Sequence, residues 1–317
     1  MDRINTILQS EYGIVAKDIS PAIGGCAALA YKVDSEQGTY FLKVYEKQKS
    51  GTAAILEKLN LCMAVASWLE NNTRLHGRIN APLLTKQGDV RAETQDNAYL
   101  LFTYIDGITP RFTPLTIYQQ EELAEIVGEL HRHGEDMPFD FSSVQETYEI
   151  PCAVLMKTPP KPESILYRHY NMLMRAIDRV HRLAEKVKAE SLPFVLCHTD
   201  IHGWNLMQSE KMILIDWETI RFAPTEADLY TFWGDWYLGG ANWVSYWDTF
   251  LPVYQRLRPE YAVREEILRF YQLRRHFEEV DDFYREYLYD DITEEKKHEI
   301  ISCLERECTI LNTLIQQ

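Results

Sequence analysis

The run from Cys197 to Glu218, CHTDIHGWNLMQSEKMILIDWE, constrains this chain more than any other. His198, Asp200, His202 and Asn205 crowd into a span that also holds Gly203, so the segment reads as a polar loop and not as a helix face or strand. Met212 to Ile215 then forms a short apolar strand that delivers Asp216 at its end. Two carboxylates straddling a hairpin in this way supply one general base and one metal ligand, with Asn205 as a second hard oxygen donor. Mg²⁺ suits such a set, since it takes one or two carboxylates and leaves its other positions to water and phosphate oxygens. A plainer reading stays open, in which Asp200 and Asn205 build a turn and Asp216 ends a strand. A zinc site on Cys197, His198 and His202 is disfavoured, because no CxxC or HExxH partner set accompanies them.

Asp200, four intervening residues and Asn205, followed by an apolar strand ending in Asp216, resemble the catalytic loop and metal-binding aspartate of kinases. The histidine-bearing form, H-x-D-x-H-x-x-N and then I-D-W-E, is more similar to the aminoglycoside and choline phosphotransferases than to protein kinases. Within that family, LCHTDIHGWNL, LIDWE and AP-x-E-x-DL at Ala223 to Leu229 look most like the spectinomycin-phosphorylating branch. The resemblance implies an α+β, two-lobed protein-kinase-like fold. Residues 1–105 would form a nucleotide-binding small lobe of antiparallel sheet plus helix. Residues 106–317 would form a large, mostly helical lobe for catalysis and acceptor binding.

The same resemblance implies roles. Asp200 accepts or orients the acceptor hydroxyl proton, Asn205 and Asp216 hold Mg²⁺ against the phosphates, and Lys43 neutralises phosphate charge. Phe41, Met207 and Ile215 line the adenine pocket, and the hinge backbone near Thr103 to Ile105 hydrogen-bonds the base. His198 orients the loop, and Asp228 braces it, although Asp228 reads equally well as the N-cap of the next helix. Glu218 is either structural or an outer-shell metal group. Two departures from the family pattern stand out: Thr199 replaces a glycine before the catalytic aspartate, and Gly203-Trp204 replaces Pro-Gly before the asparagine. The bulk of Trp204 narrows the expected acceptor range.

Upstream, Ile4, Ile7 and Leu8 form a short helical stripe before Gly13, and a β-meander follows. Gly24 and Gly25 lie between candidate strands, where they would let backbone N–H groups approach an anion as a nucleotide lid. They do not spell the G-x-G-x-x-G of protein kinases. Alternation over Thr39 to Tyr45 places Phe41, Lys43 and Tyr45 on one face and Tyr40, Leu42 and Val44 on the other. Lys43 therefore sits among apolar neighbours and needs a partner or a route to water. Ile55, Leu59, Cys62, Ala66 and Leu69 mark a helix over Thr52 to Leu69, on which Glu57 is the acid expected to pair with Lys43. The apolar strand Ala98 to Ile105 ends at the hinge Asp106-Gly107.

In the second lobe, Thr116 caps a helix running to His131, with His131 and His133 structural. Met137 to Lys161 reads as a loop with little regular structure, and Glu163 to Ala189 as a long helix. Aromatic residues are dense from Tyr230 to Trp247. Their spacing by three or four favours a buried stripe, with a cation-binding wall as the alternative. Glu278, Glu279, Asp281 and Asp282 on a later helix are further candidates to meet an amine.

Composition sets outer limits. A net charge of −15 argues against nucleic acid, whose phosphates call for a basic surface, and sits better with a cationic partner. Six cysteines without metal spacing or a disulfide framework suggest reduced thiols. No stretch reads as a signal peptide or a membrane span, so a cytoplasmic protein without membrane partner is expected. The expected activity is phosphate transfer from ATP, or GTP, to a hydroxyl of a small cationic molecule. Foremost is an aminoglycoside or aminocyclitol antibiotic such as spectinomycin, which would make this a resistance enzyme. Choline or another amino alcohol is the alternative, and a catalytically silent kinase-like binding protein is the reading from outside enzymology.

Overall fold

The computed structural model describes residues 2–23, 27–162, 164–238 and 242–316. The chain opens with helix α1 (Asp2–Ile7), continued by a π-helical turn over Leu8–Tyr12 that Gly13 ends in a left-handed conformation. Strands β1 (Ala16–Pro21), β2 (Leu29–Ser35) and β3 (Thr39–Glu46) then form an antiparallel meander. Helix α2 (Thr52–Asn72) leads to β4 (Pro82–Leu83), β5 (Ala92–Glu93) and β6 (Asn97–Thr103), with β6 beside β3 and pairing both short strands. The meander begins at Ala16, three residues after Gly13. Gly24 and Gly25 lie outside the described residues.

The alternation expected of β3 holds. Leu42 and Val44 join a core with Leu8, Val33 and Leu101 on the outer face of the sheet. Tyr45 and Phe41 face the other core, built on α2 through Leu59, Cys62, Ala66 and Leu69. By length and composition α2 alone among the described helices is apolar enough to cross a membrane, contrary to the expectation that no run qualifies. Here its apolar stripe packs under the sheet.

Beyond the hinge come α3 (Ile117–Leu130), α4 (Ala153–Lys157), α5 (Ile165–Ala189), β7 (Val195–Cys197), β8 (Leu206–Gln208), β9 (Met212–Leu214) and β10 (Arg221–Ala223). They are followed by α6 (Glu226–Trp233), β11 (Trp236–Tyr237), β12 (Trp243–Val244), α7 (Trp247–Leu257), α8 (Glu265–Tyr289) and α9 (Glu294–Leu314). Thr116 caps α3 in a reciprocal capping box with Gln119. Helix α3 packs on α7, while α5, α8 and α9 enclose a second core. The antiparallel sheet followed by a mainly helical region makes this a protein-kinase-like α+β fold.

Much of the aromatic cluster is core. Phe232 stacks on Phe250 at 3.8 Å, and Trp236 and Tyr246 are buried beside them. Trp233 has the Arg269 guanidinium 4.8 Å from its ring centroid, so a cation of this chain already takes that face.

Candidate active site

Two antiparallel ribbons hold the polar loop. Strand β7 pairs with β10 before it, and β8 pairs with β9 after it. Between them, Asp228 in the first turn of α6 fixes the backbone. Its carboxylate is 1% exposed and accepts N–H groups from His198 at 2.9 Å and Thr199 at 2.6 Å, and His131 Nε2 lies 3.0 Å away. Asp228 is therefore the brace and not the N-cap, a position that Thr225 takes. Thr199 is held at φ +68, a left-handed conformation costly for a side chain with a branched Cβ, and its hydroxyl donates to Thr219 O at 2.6 Å.

The ring of His198 is buried, donates from Nε2 to Ile215 O at 3.0 Å, and accepts the Asp200 N–H on Nδ1 at 3.3 Å. One imidazole thus ties the loop to the end of β9. Burial pushes this ring below the usual histidine range despite the nearby Asp228 and Asp200. His131, Cys197 and Asp228 also lie close together, but the Cys197 thiol donates to Ala223 O and Pro224 O. Burial, with Asp228 next, holds that thiol well above its ordinary value, which suits a brace better than a thiolate ligand.

The Asn205 amide nitrogen donates to Asp200 Oδ2 at 2.8 Å and to Asp200 O at 2.9 Å. This commits the nitrogen and leaves the amide oxygen as a donor for a cation. Asp216 follows β9 at φ +68, and Trp217, 1% exposed, anchors the turn. The Lys43 ammonium reaches across from β3 to Asp216 and lies 2.6 Å from Glu218 Oε1, where the Tyr45 hydroxyl also donates. Burial pulls Lys43 down, yet Asp216 and Glu218 outweigh it and keep the amine charged well above its ordinary range.

Glu57 does not supply the expected counterion. It is exposed on α2, whose buried positions are Leu59, Cys62, Met63 and their neighbours. The acid on Lys43 is Glu218, together with Asp216. Met207 lies against the hinge, where Thr109 Oγ1 approaches its sulfur at 3.7 Å and Gln208 exchanges backbone hydrogen bonds with Ile108. Phe41 shares the Lys43 face and pairs with Phe102. Thr103 ends β6, and Ile105 follows it into the hinge. Glu278, Glu279, Asp281 and Asp282 are paired with Arg221, Arg275 and Arg285 of the chain itself.

A cleft of about 1040 Å³ between α5 and α9 includes none of these residues, and it is the polar junction that marks the site. Asp200, Asn205 and Asp216 offer hard oxygen donors and a base on one side, with a charged amine opposite, a set suited to phosphoryl transfer with Mg²⁺.

A family model described as "Phosphotransferase enzyme family" matches residues 18–267. Spectinomycin phosphotransferase, solved with ADP and spectinomycin, superposes with a TM-score of 0.68 at 20% identity, covering 100% of this chain and 98% of that one. A microcompartment-associated aminopropanol kinase gives a TM-score of 0.69 at 14% identity, with 99% and 97% covered. Choline kinase from Streptococcus pneumoniae gives 0.63 at 13% identity, with 98% of each chain covered. No curated protein matches by sequence.

Proposed function

We propose that this chain, which belongs to the phosphotransferase enzyme family, transfers the γ-phosphate of ATP, or of GTP, to a hydroxyl of a small amine-bearing molecule, foremost an aminocyclitol or aminoglycoside such as spectinomycin. The convergence of Asp200, Asn205, Asp216 and Lys43 on one junction carries this reading. Asp200 takes the acceptor hydroxyl and orients its proton. Asn205 and Asp216 hold Mg²⁺, which when bound neutralises charge on the phosphate oxygens. Lys43 holds the phosphates from the sheet. Phe41, Met207 and Ile215 line the base, and the backbone from Thr103 to Ile105 reads its edge, with the lobes dividing at residue 105. Trp204, flanked by Arg111 at 4.8 Å and Phe112 at 5.5 Å, narrows the acceptor entrance. The setting is the cytoplasm, and the biological role is antibiotic resistance.

The test is Mg²⁺-dependent ADP release from ATP and GTP across spectinomycin, several aminoglycosides and choline, with Asp200→Asn as control. Stimulation by one antibiotic that disappears in the variant supports the reading. A turnover number unchanged in Asp200→Asn removes Asp200 from its role, and silence toward every acceptor refutes the antibiotic assignment.

A further inference from the structure

Helix α8 carries two arginines in succession that turn to different partners. Arg274 points into the fold, where Nη1 lies 2.6 Å from Glu146 Oε2, a carboxylate with no exposed surface that also accepts from the Tyr271 hydroxyl at 3.3 Å. These two contacts set the rotation of the helix. Arg275 then faces the catalytic loop, and its own helix holds it: Nη2 is 2.5 Å from Glu279 Oε1, and Nη1 is 3.6 Å from Glu278 Oε2. Glu278 is in turn fixed at 2.8 Å by Arg221 of β10, the strand paired with β7 at the entry to the loop. The guanidinium is thus placed by groups other than Asp200.

At Asp200 the two carboxylate oxygens have different surroundings. Oδ2 accepts from the Asn205 amide at 2.8 Å. Oδ1 is closed to solvent, with Arg275 Nη2 at 2.9 Å and His202 Nε2 at 3.3 Å over it. The side chain keeps 19% of its surface open, and Oδ1 lies outside that open part. A carboxylate oxygen has two acceptor sites, and Asn205 fills one of those on Oδ2. The other is the site left for an acceptor hydroxyl. Removal of the guanidinium would leave Oδ1 a buried charge short of its counterion, a costly state that a turn of the carboxylate toward water relieves. That turn carries Oδ2 off Asn205.

We propose that Arg275 is a positioning residue for phosphate transfer: it keeps Asp200 Oδ1 inside the protein so that Oδ2, steadied by Asn205, is the oxygen presented to the acceptor. This rests on the assignment of Asp200 as the hydroxyl-binding base. Arg275 contacts neither substrate in this arrangement. Its effect falls on the angle of the carboxylate, and hence on turnover, while affinity for nucleotide and acceptor is set by other groups. A lysine at this position keeps the charge but lacks the planar fork that spans Glu279 and Asp200 together.

Two measurements on the full chain test this. The first needs no acceptor: urea midpoints of the parent, Arg275→Gln, Asp200→Asn and the double variant. Arg275→Gln should lower the midpoint clearly in the parent and much less in the Asp200→Asn background. The second is steady-state ADP release from ATP with Mg²⁺ and the acceptor that stimulates the parent. There kcat should fall roughly 10- to 100-fold in Arg275→Gln, the scale of a carboxylate misplaced by about 1 Å, while both KM values stay within about threefold. Arg275→Lys should recover part of the loss. Additive midpoints, an unchanged kcat, or a loss confined to acceptor KM each overturns the proposal, the last because it makes Arg275 a substrate contact. Turnover retained in Asp200→Asn, or silence toward every acceptor, overturns the underlying reading of Asp200, and coupled midpoints would then leave Arg275 a structural partner only.

Discussion

Replacing Asp228 with asparagine tests whether the catalytic loop is held from below. The carboxylate is buried and serves three groups, the His198 and Thr199 amides and the His131 ring. Asparagine keeps one acceptor oxygen and turns an NH₂ toward whatever faced the other. If the amide oxygen takes the Oδ2 place, Thr199 N–H loses its acceptor; if it takes the Oδ1 place, His198 N–H and His131 both lose theirs. A buried donor left without a partner costs about 1–3 kcal/mol, and the remaining bonds lose their charge assistance. The sum for Asp228→Asn is roughly 2–4 kcal/mol of stability. Thr199 would then be free to leave its left-handed conformation, carrying Asp200 with it, and misplacement of about 1 Å can cost on the order of 100-fold in rate. Urea denaturation gives the first quantity through the midpoint, and acceptor-stimulated ADP release gives the second. A variant with the wild-type midpoint and wild-type turnover would refute the bracing argument. A lowered midpoint with full turnover would confine the role of Asp228 to stability.

Three further outcomes follow from the geometry. In Gly203→Ala the new Cβ would lie 2.2 Å from Arg111 O, a backbone atom, so the segment around Arg111 must shift; acceptor KM should rise several-fold more than nucleotide KM in steady-state kinetics. Lys43→Met leaves Asp216 and Glu218 without their shared cation, a loss of roughly 3–5 kcal/mol for a broken buried pair; Mg²⁺ should raise the melting temperature of this variant more than that of the parent, and equal shifts would contradict the pairing. Glu307, 3% exposed, is pushed up by burial, but His276 at 2.7 Å and Arg306 hold its carboxyl below the ordinary range. Because the folded value is the lower one, this stabilisation is present above the unfolded value of about 4.3 and disappears as pH falls through the folded value. The stability gap between parent and Glu307→Gln should therefore be full near pH 6 and close as pH falls below the ordinary carboxylate range, as urea titrations at each pH would show.

Where the fold was legible, the signal was local. Leu42 and Val44 separate from Lys43 and Tyr45 because a strand alternates with period two, and one face met each core. Thr116 and Gln119 wrote their capping box directly into the sequence. The ribbon of β7 and β10 was missed because three-residue strands carry no period, and their pairing joins Cys197 to Arg221 across the whole loop. The stripe on α2 was read correctly at Leu59, Cys62, Ala66 and Leu69. Its polar face was then asked to supply a partner for Lys43, which it turns away from.

The site divides along the same line. Asp200, Asn205 and Asp216 lie close in sequence, so their relation is carried by one loop and one hairpin. The groups that set their charge come from elsewhere: Lys43 meets Glu218 across 175 residues, and Arg275 reaches Asp200 from α8. A usable signal existed for Glu218. In Asp216-Trp217-Glu218 a fully buried tryptophan turns inward, and the acids on either side of it meet one amine across the cleft. Nothing comparable marked Arg275, which sits between Arg274 and His276 on α8. Net charge averages over the surface, whereas Asp200 Oδ1 responds to charges within a few ångströms. There burial pushes the carboxyl up, but Arg275 and His202 prevail and hold it far below its ordinary value. An overall charge of −15 therefore says little of the field at that oxygen, which Arg275 at 2.9 Å and His202 at 3.3 Å set locally.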